Sequence, residues 1–410
     1  MEMAINEEHK QSTAERGYGA IPFETDQLYK KYFVNVDLES LEANHTKDEL
    51  LSDYDENVVE RIHKKTGIKF DAVIHNGVIA RGSDIVKTGG NEQKKSVMNN
   101  LPSDKFSAFA YDFCVEPISI EVKENSDGIN ILFFNSGKMH SPASVSVSVG
   151  EGVKATVNEY YFSNDVSVNS LSGSAQFFEI KDRARLEFNE IHCESAKTIS
   201  LVTRAFKTYD ESVLDFNAFY TGGASSRQRT VFRNDGENSV IRANEAIIGT
   251  NSQKFDLNTN LTNMKAKSKC IYEVRAVLAD SANGIVKSFA KIVKGAEEAE
   301  SHIKERGLIY DKGAKITMMP DMSIDESYVK ASHSSSTSPI SEDDIFYISN
   351  RGISKDNAKF LVGSGLIYEL LKNIRSQDAK AFSMLMARHR LETREIGIPE
   401  ALGSYGVWYD

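Results

Sequence analysis

The chain has 410 residues, a formal net charge of −10 and a hydrophobic content of 40%. This length permits two or three structural units or one elongated domain, and the apolar content is sufficient for a core. The acidic charge argues against a nucleic-acid partner, because phosphate recognition needs a basic face. No apolar run approaches the ~20 residues of a membrane span, and the polar N-terminal segment MEMAINEEHKQSTAERGYG is unlike a signal or transit peptide. These features predict a cytoplasmic protein without a membrane partner.

Residues 1–104 are predicted to form an N-terminal helical and loop region. Within it, the segment KDELLSDYDENVVERIHKKTG carries apolar residues at helical spacing and closes on Gly67, as a helix C-terminus often does. The segment GGNEQKK and the Asn-Asn-Leu-Pro before Ser103 mark loops and a domain boundary.

Residues 105–338 are predicted to form an all-β core. The segment SVSVSVGEGVKATVNEYYF alternates apolar and polar residues, and short strands bounded by Gly, Asn, Asp or Ser follow at a spacing typical of a sandwich, barrel or solenoid. No proline occurs between Pro142 and Pro320, as expected of a long ladder of paired strands. Spacing alone does not choose between sandwich and solenoid, although small residues and Asn at the turns slightly favour a β-helix.

The cysteines of the chain, Cys114, Cys193 and Cys270, lie far apart and form no CxxC motif. We therefore expect reduced, buried thiols rather than a zinc ribbon or a self-contained cysteine-ligated cluster. His192 adjoins Cys193 and could suggest a metal site. Neighbouring side chains of a strand point to opposite faces, however, so a structural role is the better interpretation of this pair.

Residues 339–410 are predicted to be a C-terminal helical region with a tail. Ser341 begins a capping motif, Gly352 ends the first short helix, and Ser354 caps the second. A third apolar stretch, AKAFSMLMARHRLE, follows.

Part of the chain, from about residue 255 to 375, resembles the SufB/SufD family of SUF-system iron–sulfur cluster assembly proteins. The resemblance rests on the order and spacing of the segments DSANGIVKSFAKIVKGA, RGLIYDKGAKITMMPDMSID, YVKASHSSST and ISEDDIFYISNRGIS. Ala331 stands where SufD-like members often have Cys, and Ser332-His333-Ser334 replaces the Glu-His-Glu of SufB-like members. The resemblance is therefore SufD-like.

This resemblance implies a right-handed parallel β-helix flanked by N-terminal and C-terminal helical regions. It also implies a dimer through the β-helix end, with a SufB-like subunit or with itself, and docking of the SufC ABC-type ATPase on the C-terminal helices. The chain would then be a non-catalytic scaffold subunit, with an iron–sulfur cluster held transiently at the interface and none bound by the chain alone. The sequence has no GxxxxGK[ST] motif, so ATP hydrolysis would belong to the partner.

His333 is the candidate metal ligand. Its position matches the family histidine, and a histidine can replace a thiolate as an iron ligand. The alternative is a histidine that hydrogen-bonds a turn. If the β-helix ends near Lys330, as the family implies, residues 331–337 lie where two subunits meet.

The resemblance places ATPase docking on the exposed members of the set Ile345, Phe346, Tyr347 and Arg351. Phe346 and Tyr347 are neighbours on a helix and face different ways, so one is expected to pack inward and the other to meet the partner. Asp343 and Asp344 are interpreted as capping and helix-dipole groups rather than as acid/base carboxylates. Truncation at Pro339 is expected to leave the β core folded while abolishing ATPase binding.

Two other functions remain open. A SufB-like homodimeric cluster scaffold is the alternative within the family. Glu305 or a neighbour stands where SufB-like chains place a cluster-building Cys at the interface, and the absence of this Cys argues against it. A β-helix carbohydrate-active enzyme is the alternative from another class. Such enzymes are commonly secreted and need grouped carboxylates on the solenoid face. The polar N-terminal segment and the SUF-like C-terminal segment count against this function.

Overall fold

The computed structural model describes residue 38 and residues 45–136, 140–164 and 170–398. The described part before the long sheets contains four helices and three short strands. They are α1 (Lys47–Leu51), α2 (Glu56–Thr66), β1 (Ala72–His75), β2 (Val78–Arg81), β3 (Val86–Thr88), α3 (Asn91–Asn100) and α4 (Lys105–Phe113).

Sixteen strands follow in the described residues without an intervening helix. They are β4 (Pro117–Val122), β5 (Ser126–Asn135), β6 (Ala143–Val149), β7 (Lys154–Ser163), β8 (Ser170–Ile180), β9 (Arg185–His192), β10 (Thr198–Thr208), β11 (Val213–Tyr220), β12 (Ser225–Asn234), β13 (Val240–Gly249), β14 (Lys254–Asn263), β15 (Lys269–Leu278), β16 (Asn283–Ile292), β17 (Glu300–Ile309), β18 (Lys315–Ile324) and β19 (Lys330–Pro339).

Successive strands alternate between two sheets. The odd sheet runs from β19 through β17 and the other odd-numbered strands to β5, and then to β1 and β2. The even sheet runs from β18 down to β4 and then β3. From β4 onward each strand pairs in parallel with the strand two places along the chain, as β13 does with β15 over ten residues. The result is a parallel β-solenoid of about seven turns with helices on either side in the sequence, which confirms the β-helix fold.

One corner of the solenoid is made by residues in the left-handed conformation. Their φ angles lie between 56° and 59°, in the residues Arg183, Glu211, Asn238, Lys267 and Glu298. Glycine is the residue that enters this region without strain, and most side chains there cost energy. The strand pairing on both sides of the corner therefore stabilises this conformation, and the conformational preference of the corner residues does not. This explains why the repeat has no regular glycine signature in the sequence.

The solenoid interior is filled by stacked side chains from both sheets. Phe206 of β10 and Phe232 of β12 stack with ring centroids 5.1 Å apart, and Phe188 and Phe216 of the facing sheet lie against them. The three cysteines are free and buried, as expected from the sequence.

Asparagines form a ladder on the outer face of the odd sheet. The side-chain amide of each donates to the side-chain oxygen of the preceding one, at 2.8–2.9 Å, along Asn130, Asn158, Asn189, Asn217 and Asn244. These residues are in register on five consecutive strands of the sheet. The ladder satisfies polar groups that the C-terminal helices help to bury, since a buried amide without partners costs free energy.

Three C-terminal helices pack on the same outer face, in agreement with the helical period of the sequence. They are α5 (Glu342–Ser349), α6 (Lys355–Leu371) and α7 (Gln377–Thr393). The Ser341 and Ser354 hydroxyls accept the capping hydrogen bonds of α5 and α6, and Gly352 has a φ of 84°. Phe382 of α7 lies against Tyr160 and Phe162 of β7. No helix in the described ranges is long and apolar enough to cross a membrane.

The chain before β4 differs from the sequence interpretation in three ways. Helix α4 (Lys105–Phe113) lies within the segment predicted as all-β core, and the other two differences concern residues 1–104. The helical pattern before Gly67 is split into α1 and α2, because Asp55 caps a new helix by accepting from the Asn57 amide at 2.9 Å. Strands β1–β3 were not anticipated, and β1 pairs in parallel with β5, so the odd sheet begins before residue 105. Strands of three or four residues are too short to show an alternating pattern. The predictions for residues 1–37 and for the tail after residue 398 lie outside the described residues.

Candidate functional site

The solenoid ends in an exposed strand. β19 is the last strand of the odd sheet and pairs with β17 on one side. All ten of its residues are exposed. The β-helix therefore continues to Pro339 and does not end near Lys330, and the serine-rich segment is itself a strand. The strand is hard to recognise from the sequence because serine has a low strand propensity. Pairing with β17 overrides this low propensity.

His333 lies in the middle of β19, in register with Ile303 of β17. Ile303 is buried in the solenoid core, so the side chain of His333 faces the solenoid axis at its exposed end. Ser335 faces the same way and is in register with the buried Glu305, whereas Ser334 faces outward with Lys304. Within the described ranges, no three His, Cys, Asp or Glu side chains are grouped to hold a metal ion.

The backbone of β19 presents hydrogen-bonding groups to solvent. The Lys330 N–H donates to Ala299, the residue before β17, and the Ile340 N–H donates to Ile309 of β17. These two bonds fix the alternation of backbone groups along β19. In a parallel ladder both backbone groups of one residue point to the same side. The odd-numbered residues, from Ala331 to Thr337, therefore direct their N–H and C=O groups away from β17. Natural proteins usually protect such an edge, because it pairs readily with another chain.

An exposed aromatic pair lies on α5. Phe346 and Tyr347 are 68% and 62% exposed, and the Arg351 guanidinium stacks on the Tyr347 ring at 3.7 Å from its centroid. The expectation that one of the two aromatics packs inward is therefore wrong. Ile345 fills that place in the core and is 3% exposed, so it is not a surface residue. Leu361 of α6 adds a further exposed apolar side chain.

The first acidic residues of α5 follow the capping interpretation. The Asp344 amide donates to the Ser341 hydroxyl at 3.1 Å, and Glu342, Asp343 and Asp344 occupy the first turn. Acidic side chains there interact favourably with the helix dipole.

Two facing columns of polar side chains run through the solenoid interior, and the sequence interpretation missed them. The column of the odd sheet holds four buried carboxyls, in Glu159, Glu190, Glu245 and Glu305. Ala218 occupies the in-register position between Glu190 and Glu245, and Val274 occupies the one between Glu245 and Glu305. The facing column of the even sheet holds Gln176, Arg204, Thr230, Thr259 and Ser288. We call these two sets the interior columns. Each carboxyl meets one facing residue, in the pairs Glu159–Gln176, Glu190–Arg204, Glu245–Thr259 and Glu305–Ser288.

His192 belongs to a charged cluster beside these columns. Its ring nitrogens lie 2.6 Å from Glu190 and 2.9 Å from Glu194, and all three side chains are buried. Burial lowers the pKa of His192, but the charges of Glu194 and Glu190 outweigh it and raise this pKa to about 9. His192 is therefore an imidazolium at neutral pH. The neighbouring Cys193 packs on the other side of the strand, in the outer cluster with the C-terminal helices, so the two side chains do not share a site.

The fold and its exposed end define a parallel β-helix whose last turn ends in β18 and in the fully exposed strand β19. A family model described as "SUF system FeS cluster assembly, SufBD core domain" matches residues 132–366, which is more than half of the chain. The chain therefore belongs to the SufBD core family, which confirms the resemblance seen in the sequence.

Relatives are similar to the chain at low identity. The iron–sulfur cluster assembly protein SufD of Escherichia coli (strain K12) is 22% identical over 235 residues, which cover 57% of this chain and 55% of that protein. SufD of Bacillus subtilis (strain 168) is 26% identical over 134 residues, which cover 33% of this chain and 31% of that protein. The chain thus spans about half the length, or less, of the curated relatives it matches.

Proposed function

We propose that the protein is a non-catalytic, SufD-like scaffold subunit of a cytoplasmic complex that assembles iron–sulfur clusters. Family membership and the names of the two SufD relatives support the process. The observation that carries the scaffold role is the exposed strand β19 at the end of the solenoid. The cluster is cargo in this proposal: it is built at an interface between chains and passed on. In this proposal, His333 is the residue of this chain that binds iron at that interface.

Pairing through β19 is the first part of the proposal. A second β-helix, of a SufB-like subunit or of the same chain, adds its terminal strand to this edge by backbone hydrogen bonds. The Ser335 N–H points outward, so Ser335→Pro removes a donor of the new pairing without removing one that bonds β17. We expect Ser335→Pro to weaken the dimer at least about tenfold, the equivalent of 1.4 kcal/mol. Ser335→Ala keeps the N–H and is the control. Sedimentation of the purified pairs measures the effect; equal dissociation constants for the two variants would exclude pairing at this edge.

Ligation by His333 is the second part. The side chain is exposed on the last strand, so its removal costs little stability. We expect His333→Ala to leave folding and pairing intact and to lower the iron and sulfide bound per assembled complex. The test is side-by-side reconstitution with wild type, with His302→Ala as the control. His302 is a histidine of the adjacent strand whose ring bonds Ser332 on the outer face. Equal cluster content in the His333→Ala complex would leave His333 without a ligand role.

Docking of the SufC ABC-type ATPase is the third part. Phe346 and Tyr347 form an exposed aromatic surface on α5, with Leu361 on the adjoining helix. Monomeric proteins seldom expose such groups together without an interaction that covers them. Arg351, held on the Tyr347 ring, supplies a cation at the rim of this surface.

A further inference from the structure

The interior columns hold more carboxyl groups than cations. Arg204 and the His192 imidazolium face Glu190, and His192 also faces Glu194. These four groups balance one another in charge. Glu245 accepts instead from neutral hydroxyls, those of Tyr220, Tyr272 and Thr259. Glu159 accepts from Gln176 and Tyr161, and Glu305 from Ser288.

The surroundings of the three carboxyls with neutral partners therefore favour their protonated form. An ionised carboxylate in an apolar interior without a cation is very costly, and such a group takes up a proton instead. Burial, with a contribution from the Glu190 charge, raises the pKa of Glu159 to about 7. Burial also raises the pKa values of Glu245 and Glu305.

Several polar atoms of the interior columns have no protein partner. Five buried atoms form no hydrogen bond with any described residue: Glu159 Oε1, Gln176 Oε1, Glu190 Oε2, Arg204 Nε and Glu305 Oε2. A buried polar atom left unpaired is costly, so internal water commonly pairs with such groups in folded proteins. Four of these atoms belong to residues of β7–β10, and the fifth, Glu305 Oε2, belongs to β17. Between them, direct hydrogen bonds join Glu190, Arg204, Tyr220, Glu245 and Thr259. Water bound to the unpaired atoms would extend this series towards Glu159 and towards Glu305.

The columns are closed at one end and reach solvent at the other. Beyond Glu159 and Gln176 the next in-register residues are Ile131 and Val145, which are apolar and buried. Beyond Glu305 and Ser288 the next in-register residues are Ser335 of β19, which is exposed, and Pro320 of β18, which is half-buried.

We propose that the interior columns enclose bound water and form a proton-exchange path through the solenoid, with its mouth at Ser335. Protons then move between Glu159, Glu245 and Glu305 through water and the intervening Tyr, Thr and Ser hydroxyls, and enter or leave beside His333. The path is a property of the isolated chain and does not depend on its proposed role in cluster assembly.

The test is infrared spectroscopy of the full chain after transfer from H₂O to D₂O at pH 6. The carbonyl stretch of a protonated carboxyl group shifts to lower frequency when its proton is exchanged for deuterium. We expect this shift at least about 100-fold faster than exchange of the protected strand amides, which need opening of the fold. Glu245→Gln and Glu305→Gln each remove part of the band and so assign it.

Two leucine variants locate the mouth. Ser335→Leu places an apolar side chain over the column and is expected to slow carboxyl exchange at least about tenfold, because it excludes water from the entrance. Ser334→Leu changes the adjacent, outward-facing residue and is expected to leave the rate unchanged. The proposal is overturned if the wild-type carboxyls exchange as slowly as the protected amides, if the two glutamine variants leave the band unaltered, or if both leucine variants slow exchange equally. If Ser335→Leu fails to fold, the comparison of carboxyl and amide exchange rates in the wild-type chain still tests the proposal.

Discussion

Glu159 shows how one interior carboxyl ties the stability of the protein to pH. Its ordinary pKa of 4.5 rises to about 7 in the folded chain, so the folded state binds the proton more tightly than the unfolded state. The stabilisation is complete below about pH 4.5 and is lost as the pH rises to 7. His192 acts in the same direction at higher pH, because its pKa rises from 6.5 to about 9. Its contribution is complete below 6.5 and is lost as the pH approaches 9.

We therefore expect Glu159→Gln to change the pH profile of stability. The glutamine keeps an oxygen that accepts from Gln176 and Tyr161 but cannot ionise. Between pH 5 and 7 the wild type should lose unfolding free energy that the variant keeps, and at pH 8 the variant should be the more stable by up to about 3 kcal/mol. Urea unfolding at several pH values measures this. Glu237→Gln, at an exposed turn, is the control and should follow the wild type; a Glu159→Gln profile parallel to the wild type would contradict the raised pKa.

At the scale of elements, the asparagine ladder fixes the outer face of the odd sheet. Asn189 is at its centre, is fully buried, donates to Asn158 at 2.8 Å and accepts from Asn217 at 2.9 Å. Asn244 ends the ladder, donates to Asn217 and is only partly buried. The position within the ladder therefore decides how many groups lose a partner when one member is removed.

Asn189→Ala is expected to destabilise the protein by about 2–4 kcal/mol, because it leaves a buried donor and a buried acceptor without partners. Asn244→Ala removes one hydrogen bond at a partly solvated site and should cost about 1 kcal/mol or less. The two variants are compared by chemical denaturation under identical conditions. Equal losses of unfolding free energy in the two variants would show that the position of an asparagine within the ladder does not affect its contribution to stability.

Elements with local signals could be predicted, and those set by distant contacts could not. Ser341, Ser354 and Gly67 carry the capping chemistry of their helices in the sequence itself, so the C-terminal helices and the end of α2 were found. The solenoid topology was not fixed by strand spacing, because residues such as Arg183 and Glu211 stand at corners where glycine would have marked the repeat. The family resemblance supplied that choice.

The candidate functional site could be predicted only in part, because it also depends on contacts between residues that are distant in the sequence. Phe346 and Tyr347 were found by resemblance, but the burial of Ile345 beside them depends on packing against the sheet. The interior columns left no sequence signal. Their glutamates occupy separate strands, and an alternating pattern does not distinguish an inner polar face from an outer one.

At the scale of the whole molecule, the C-terminal helices are part of the core and not an appendage. Phe382 covers Tyr160 and Phe162, which the β core alone would expose. Arg390 is fully buried and donates to Thr221 and Thr250 at 2.7 Å. The expectation that truncation at Pro339 leaves the β core folded therefore needs correction, since truncation uncovers a large apolar face.

We expect a chain ended at Pro339 to bind a hydrophobic dye, aggregate and melt at lower temperature, so it cannot test docking. The double variant Phe346→Ser, Tyr347→Ser changes only exposed side chains and should keep the wild-type melting temperature. It should lose at least about tenfold in affinity for the SufC ATPase, as aromatic anchors dominate interfaces. Tyr328→Ser, 72% exposed and outside the C-terminal helices, is the control. Calorimetric titration gives the affinities, and unchanged binding by the double variant would place docking elsewhere.

The two ends of the solenoid are unlike, and this limits how many chains can join. At the far end, β2 has four residues and β3 has three, and both run antiparallel to their neighbours. The Ile79 N–H of β2 already donates to the Glu116 carboxylate. At the near end β18 and β19, the terminal strands of the even and odd sheets, each have ten residues. Each chain thus has one end open to strand addition: two chains that meet at this end close it in both, whereas a solenoid with alike ends would polymerise. In the proposed assembly, a surplus of this chain would accumulate as unpaired chains or pairs and not as fibres.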